Sequence, residues 1–174
     1  MLYFLGASSF AASNPFDDAL AAYERGDYVQ AMKLFRQLAE KGHPWAQSRV
    51  GLMYAEGKGV PQDFQEAVKW YRLAAAQGNE FAQVNLGVMY TKGRGVRQDF
   101  VRAYMWFNLA AAALSSDSGD TATKKRDRIA SKMTAEQPRR NFPRFPSLSP
   151  SRTFVMEARL CVILPQLNDA LSGA

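Results

Sequence analysis

The chain repeats itself at an interval of 36 residues, and that period constrains its fold more than any other feature. Moving residues 46–76 forward by one period lays Ala46 on Ala82, Gly51 on Gly87 and Tyr54 on Tyr90. Gly57 and Gly59 fall on Gly93 and Gly95, and Asp63, Ala67 and Trp70 fall on Asp99, Ala103 and Trp106. Of the 31 positions compared, 17 are identical, and Val50/Leu86, Lys58/Arg94 and Tyr71/Phe107 are close substitutions. Self-similarity at such a period marks a repeat architecture, in which units stack because none can bury its apolar face alone.

Each unit reads as a pair of helices. A helix from about Pro44 to Ala55 has proline at a tolerated first-turn position and places Ala46, Val50 and Tyr54 on one face. Gly51 on that helix lets a neighbour approach closely. The linker Glu56–Gln62 carries two glycines and one apolar residue, Val60, expected to tuck under the turn. Asp63 then caps a second helix, Glu66 is placed to reach back, and Ala67, Trp70, Tyr71 and Ala74 form its buried stripe until Gly78. The next unit repeats this from Glu80 to Leu114. Upstream, Phe16–Arg25 and a helix capped by Asp27, with stripe Ala31, Leu34, Phe35, Leu38 and Ala39, form a shorter first unit. Tyr28, Ala31, Phe35, Ala39 and Gly42 match Phe64, Ala67, Tyr71, Ala75 and Gly78 at the same offset.

The signature Ala46, Gly51, Tyr54, Gly57, Gly59, Asp63, Ala67 and Trp70, met again at Ala82, Gly87, Tyr90, Gly93, Gly95, Asp99, Ala103 and Trp106, resembles the Sel1-like repeat, a relative of the tetratricopeptide repeat. The tetratricopeptide period is 34 residues; the two added here lie in the glycine loop, as in the Sel1-like family. The resemblance covers roughly residues 17–114. It implies an all-α fold, a short right-handed solenoid of stacked antiparallel hairpins. The expected organisation is a truncated first repeat at 14–43, full repeats at 44–79 and 80–115, and a capping helix at 116–137. Ser115–Gly119 is expected to be a turn, with the helix proper at Thr121–Met133 and Ile129 and Met133 as its apolar side.

The ends differ in character. Residues 1–13 form an apolar, small-residue-rich segment that resembles the end of a secretory signal peptide, with Ala11 and Ser13 before a cut at Asn14, but without a basic n-region. A frayed terminus is the alternative. A processed signal would place the protein in the periplasm or outside the cell, and its absence in the cytoplasm. After the capping-box sequence Thr134–Gln137, Pro138 interrupts the expected helix. Residues 138–174 begin with a Pro/Arg-rich stretch, read as a disordered basic tail, a reading-frame error or a proline-rich ligand.

Composition narrows the chemistry. Of the net charge of +6, residues 1–123 contribute nothing, with 12 basic and 12 acidic side chains, whereas 124–152 hold 9 basic and 2 acidic. The repeats therefore have no net attraction for nucleic acid; a basic-segment binder of nucleic acid or an anionic surface is the alternative. One cysteine, Cys161, and one histidine, His43, leave no usual zinc ligand set, so no metal or cofactor is expected. Gly57-Lys58-Gly59 and Gly93-Arg94-Gly95 lack phosphate-loop spacing and are turn glycines. Trp70, Trp106, Tyr71 and Phe107 are packing residues rather than a cage. Glu56, Glu66 and Glu80 read as solvated carboxylates, and His43 as a surface residue in a turn.

No catalytic residues emerge. A β-lactamase-like enzyme, an activity claimed for cysteine-rich relatives, would need repeat cysteines or an S-x-x-K serine, and neither is present. The expected function is a non-enzymatic scaffold offering its concave face to a protein or peptide, with a second copy of the chain as another partner. On the first helix of each full repeat, Gln47, Arg49, Gln83 and Asn85 are expected to escape the core, with Trp45 and Phe81 at the rim. The competing reading makes these ordinary surface polars, with Trp45 and Phe81 closing the seam between repeats.

Overall fold

A computed structural model describes residues 14–113 and 117–133, and within them the backbone is helix and turn. In chain order the helices are α1 (Pro15–Glu24), α2 (Tyr28–Glu40), α3 (Pro44–Glu56), α4 (Phe64–Ala76), α5 (Glu80–Lys92), α6 (Phe100–Ala113) and α7 (Asp117–Ala130). Each packs on its sequence neighbours, the arrangement of a solenoid of hairpins.

Short polar side chains start these helices by accepting backbone N–H groups that have no partner inside the helix. Asp27 accepts from the Gln30 amide at 3.2 Å, and Asp63 from Gln65 and Glu66 at 2.8 and 3.0 Å. Asn79 accepts from Ala82 at 2.8 Å, and Asp99 from Arg102 at 2.9 Å. His43 does the same work for α3: its Nδ1 accepts from the Ala46 amide at 3.4 Å, and its ring stacks on Phe16. It is exposed, as expected, but it caps a helix where the next repeat uses Asn79.

The core is two apolar clusters joined through the α3–α4 hairpin. Ala31, Phe35, Ala46, Val50 and Met53 anchor the first, and Tyr71, Leu86, Trp106 and Phe107 the second. Tyr54 packs against both. Each fully buried large side chain contributes roughly 1.5–3 kcal/mol. The close approach expected at Gly51 is real: a Cβ there would lie 2.8 Å from the Tyr71 ring, and one at Gly87 would lie 2.6 Å from the Phe107 ring. Helix and aromatic partner repeat together.

The glycine loops are held from both sides. The Asp63 N–H donates to the Tyr54 carbonyl at 3.0 Å and the Gln62 side chain to the Ala55 carbonyl at 2.8 Å. Asp99 and Gln98 make the same bonds to Tyr90 and Thr91. Val60 is partly buried against the first cluster, as its place in the linker implied.

Several expectations are corrected. Glu66 does not reach back to its cap, because the Asp63 N–H is already taken by Tyr54; it pairs with Lys69 instead. Trp70 is only half-buried, against the first cluster, whereas Trp106 is buried in the second. The stripe continues instead through Val68 and Ala75. The last helix starts at Asp117, inside the expected turn, and ends at Ala130 rather than Met133. Asp120 in its first turn suits the positive end of the helix dipole, which favours an early start. Ile129 and Met133 nevertheless face the second cluster, and Ala122 is also buried. Residues 1–13 and the segment from 134 onward lie outside the described residues.

Candidate functional site

Two equivalent helix starts carry the expected partner surface. Trp45 and Arg49 lie one turn apart on α3, and Phe81 and Asn85 hold the same positions on α5. Spacing of i, i+4 puts each pair on one helix face. Trp45 is 44% and Phe81 46% exposed. Arg49 and Asn85 are half-exposed, and Asn85 Nδ2 donates to the Phe81 carbonyl at 3.0 Å. Large apolar side chains left this open are informative when they recur at equivalent positions.

Gln47 and Gln83 do not belong to that surface. Both are buried, and each side-chain amide donates back across the repeat boundary. Gln47 Nε2 reaches the Ala39 carbonyl at 3.1 Å and Gln83 Nε2 the Ala75 carbonyl at 3.4 Å. Those carbonyls sit in the last turns of α2 and α4, where each also accepts from the N–H of the glycine that closes the helix, Gly42 and Gly78, at 3.0 Å. The buried amide is admitted here because it fills the second acceptor site of a carbonyl at a helix end.

A second ordered feature ties adjoining units. Lys58 Nζ donates to the Tyr23 hydroxyl at 2.8 Å and pairs with Glu56 at 2.9 Å, above the rings of Tyr23 and Tyr28. The Tyr23 hydroxyl and the Glu56 carboxylate hold the Lys58 ammonium charged well above the ordinary lysine range. Glu56 is therefore a structural partner. Arg94 repeats the contact over Phe64 in the next unit.

One cavity escaped the sequence reading. It has a volume of about 560 Å³ and is lined by Arg72 from α4, Tyr90 from α5, and Val96, Arg97, Asp99 and Arg102 from the loop and first turn of α6. Arg72 Nη2 donates to the Tyr90 hydroxyl at 2.9 Å and Arg102 Nη1 does so at 3.5 Å. The Arg102 guanidinium also lies over the Tyr90 ring. Of the basic run on α7, Arg126 is bound to Asp127 at 2.8 Å and faces Asn108 at 3.4 Å. Among the described residues no group of three His, Cys, Asp or Glu side chains is placed to hold a metal, and no helix is long and apolar enough to cross a membrane.

Stacked helical hairpins with buried cross-repeat amides define a tetratricopeptide-like α-solenoid, a class built to present extended surfaces. The family model of the Sel1 repeat matches residues 19–43, 46–79 and 81–113, together more than half of the chain. The chain belongs to the Sel1 repeat family. It is 42% identical over 54 residues to an exopolysaccharide production negative regulator of Rhizobium leguminosarum bv. viciae, a match covering 29% of this chain and 20% of that protein. A protective antigen of uropathogenic Escherichia coli with an SLR fold superposes with a TM-score of 0.66 at 34% identity, over 72% of this chain and 27% of that one. A Sel1 repeat protein from Oxalobacter formigenes gives 0.57 at 28% identity, over 68% of this chain and 54% of its own. The chain thus spans only part of each relative's length.

Proposed function

We propose that the protein is a non-enzymatic scaffold that binds a protein or peptide across α3 and α5, the concave face of its solenoid, through Trp45, Arg49, Phe81 and Asn85. One observation carries the reading: two large aromatic side chains at equivalent repeat positions stay more than two-fifths exposed while their neighbours are buried. Aromatic and arginine side chains dominate the energetic centres of protein interfaces. The likeness to a negative regulator of exopolysaccharide production supports a regulatory partner, and the signal-like residues 1–13 support one in the cell envelope.

A photo-crosslinking amino acid placed at position 45, 81 or 36 in native cells tests this, position 36 being an exposed site on α2. Adducts of one common mass from 45 and 81, absent from 36, are the expected result. An adduct of twice the chain mass identifies a second copy as the partner. The same adducts from all three positions, or none from 45 and 81, overturn the reading. Intact mass of the protein from the same cells reports removal of the first 13 residues, the outcome that accompanies export.

A further inference from the structure

We propose that the cavity between α4, α5 and the first turn of α6 is a binding site for a compact dianion, a phosphate monoester or a dicarboxylate, held by Arg72, Arg97, Arg102 and the Tyr90 hydroxyl. The site is independent of the aromatic surface on α3 and α5. Its volume of about 560 Å³ falls within the usual range for small-ligand sites.

The charge of the cavity is a property of one repeat. In the preceding unit the equivalent positions are Arg36, Tyr54, Pro61, Asp63 and Glu66, a set with one positive and two negative charges. Here Arg97 replaces Pro61 and Arg102 replaces Glu66, leaving three arginines against Asp99. A third difference acts in the same direction. Arg36 is held by Glu40 one turn along α2 at 3.0 Å, whereas the position one turn beyond Arg72 is Ala76. Relieved of that carboxylate, Arg72 turns to Tyr90. Two substitutions thus convert a net charge of −1 into +2, the charge a dianion neutralises, and the third frees Arg72 from a neighbouring carboxylate.

The donors also converge. Because the Tyr90 oxygen accepts from Arg72 and Arg102, its own proton is available to donate to a third group. Asp99 competes weakly: one of its oxygens caps α6 at the Arg102 amide, and the other lies 3.4 Å from Arg102 Nε. Arg97 is exposed on the cavity wall, and among the described residues no carboxylate lies within salt-bridge distance of it or of Arg72. Guanidinium forks match carboxylate and phosphate oxygens two at a time, and so favour a ligand with several acceptors over a simple halide.

The test is a titration of the full chain with inorganic phosphate and, separately, with succinate, at constant ionic strength made up with chloride. Calorimetry reads affinity, and backbone amide shifts read the location. Saturable binding with shifts centred on residues 96–102 is expected. The double substitution Arg97→Pro and Arg102→Glu restores the residues of the preceding repeat, whose helical hairpin folds with them, and is expected to weaken binding tenfold or more. Tyr90→Phe keeps the ring and removes only the hydroxyl; an affinity loss of several-fold supports the site independently of the double variant. Tighter binding of phosphate or of succinate identifies the source of the dianion, and either supports the site. No saturable response to either probe overturns it, as does unchanged affinity in both variants. Shifts centred on the basic residues of α7 also overturn it.

Discussion

Gln77 Nε2 donates to Gln47 Oε1 at 2.7 Å, and Gln47 Nε2 donates in turn to the Ala39 carbonyl at 3.1 Å. One buried amide on α3 therefore joins the ends of α2 and α4, and both of its polar atoms are satisfied. The next repeat copies half of this. Gln83 meets the Ala75 carbonyl, but the position equivalent to Gln77 is Ala113, and Gln83 Oε1 is buried without a hydrogen-bond partner.

Substituting Ala113→Gln should therefore stabilise the protein. The new side chain reaches from the exposed end of α6 to an acceptor that now carries its full desolvation penalty. A completed hydrogen bond contributes about 0.5–1.5 kcal/mol, reduced by the few tenths of a kcal/mol by which glutamine trails alanine in helix propensity. Chemical denaturation should show a higher midpoint with an unchanged slope. A lower midpoint would mean that the amide cannot complete the relay.

Tyr71→Phe should also stabilise, for the opposite reason: it removes a polar atom rather than supplying a partner. The Tyr71 ring is fully buried and its hydroxyl has no partner, while Phe107 fills the same place in the next repeat. Relief of an unsatisfied buried hydroxyl is worth about 1 kcal/mol. Burial, helped by the charge of Glu56, also pushes the Tyr71 phenol well above its ordinary range. The unfolded chain then loses this proton from about pH 10, while the folded chain keeps it. Stability falls as pH rises through that value, because the folded state binds more protons. The difference in stability between wild type and Tyr71→Phe should widen above about pH 10, read from denaturation midpoints at pH 8 and pH 10.5. A constant difference across that window would show a hydroxyl that ionises as readily as in the unfolded chain.

Gly87→Ala should destabilise by about 1–3 kcal/mol, the usual range for overpacking a filled core. Its Cβ would lie 2.6 Å from the Phe107 ring, and α5 and α6 must part to admit it. Combining it with Phe107→Leu, which costs stability alone, should give a loss smaller than the sum of the two. Coupling of that sign is expected for residues in direct contact. Strict additivity in a double-mutant cycle would place the cost of Gly87→Ala elsewhere than in this contact.

The hairpins, the aspartate caps of their second helices and their glycine contacts were legible because the repeat presents each of them twice. Gly51 with Tyr71 and Gly87 with Phe107 are the same contact read at two positions. Gln47 and Gln83 were misread for a definite reason. Apolar periodicity counts an amide as outward, whereas these two are drawn inward by carbonyls at the ends of α2 and α4, a tertiary need that helix period does not record. His43 hid its role because histidine is not among the usual N-caps. The basic cavity combines Arg72 and Arg102, thirty positions apart in sequence, and it takes packing of both α4 and α6 on α5 to bring the two to Tyr90. A signal for it existed. It lay in the differences between repeats, Pro61 against Arg97 and Glu66 against Arg102, and not in their identities.

The two glycines of a loop should separate sharply on substitution by alanine. Gly93 and Gly95 share nearly the same left-handed backbone, with φ of +64° and +68°, so each alanine incurs the same conformational penalty of roughly 1–2 kcal/mol. Their surroundings differ. A Cβ at Gly93 meets the Cβ and backbone N of Gln98, both at 3.3 Å, a contact that a shift of a few tenths of an ångström in the loop relieves. A Cβ at Gly95 would fall on the backbone carbonyl of Phe64, at the start of α4 in the preceding repeat. That carbonyl cannot move without lifting the loop from the repeat behind it, so the joint between repeats must open. Gly95→Ala should therefore lose at least about 2 kcal/mol more than Gly93→Ala, the scale of a clash with no rotamer to relieve it. Hydrogen exchange would read where the loss falls: amides at the start of α4 and in the 93–99 loop should lose protection in Gly95→Ala and keep it in Gly93→Ala. Equal losses of stability in the two variants would mean that left-handed strain alone sets the glycine requirement, and that the loop does not bear on its neighbour.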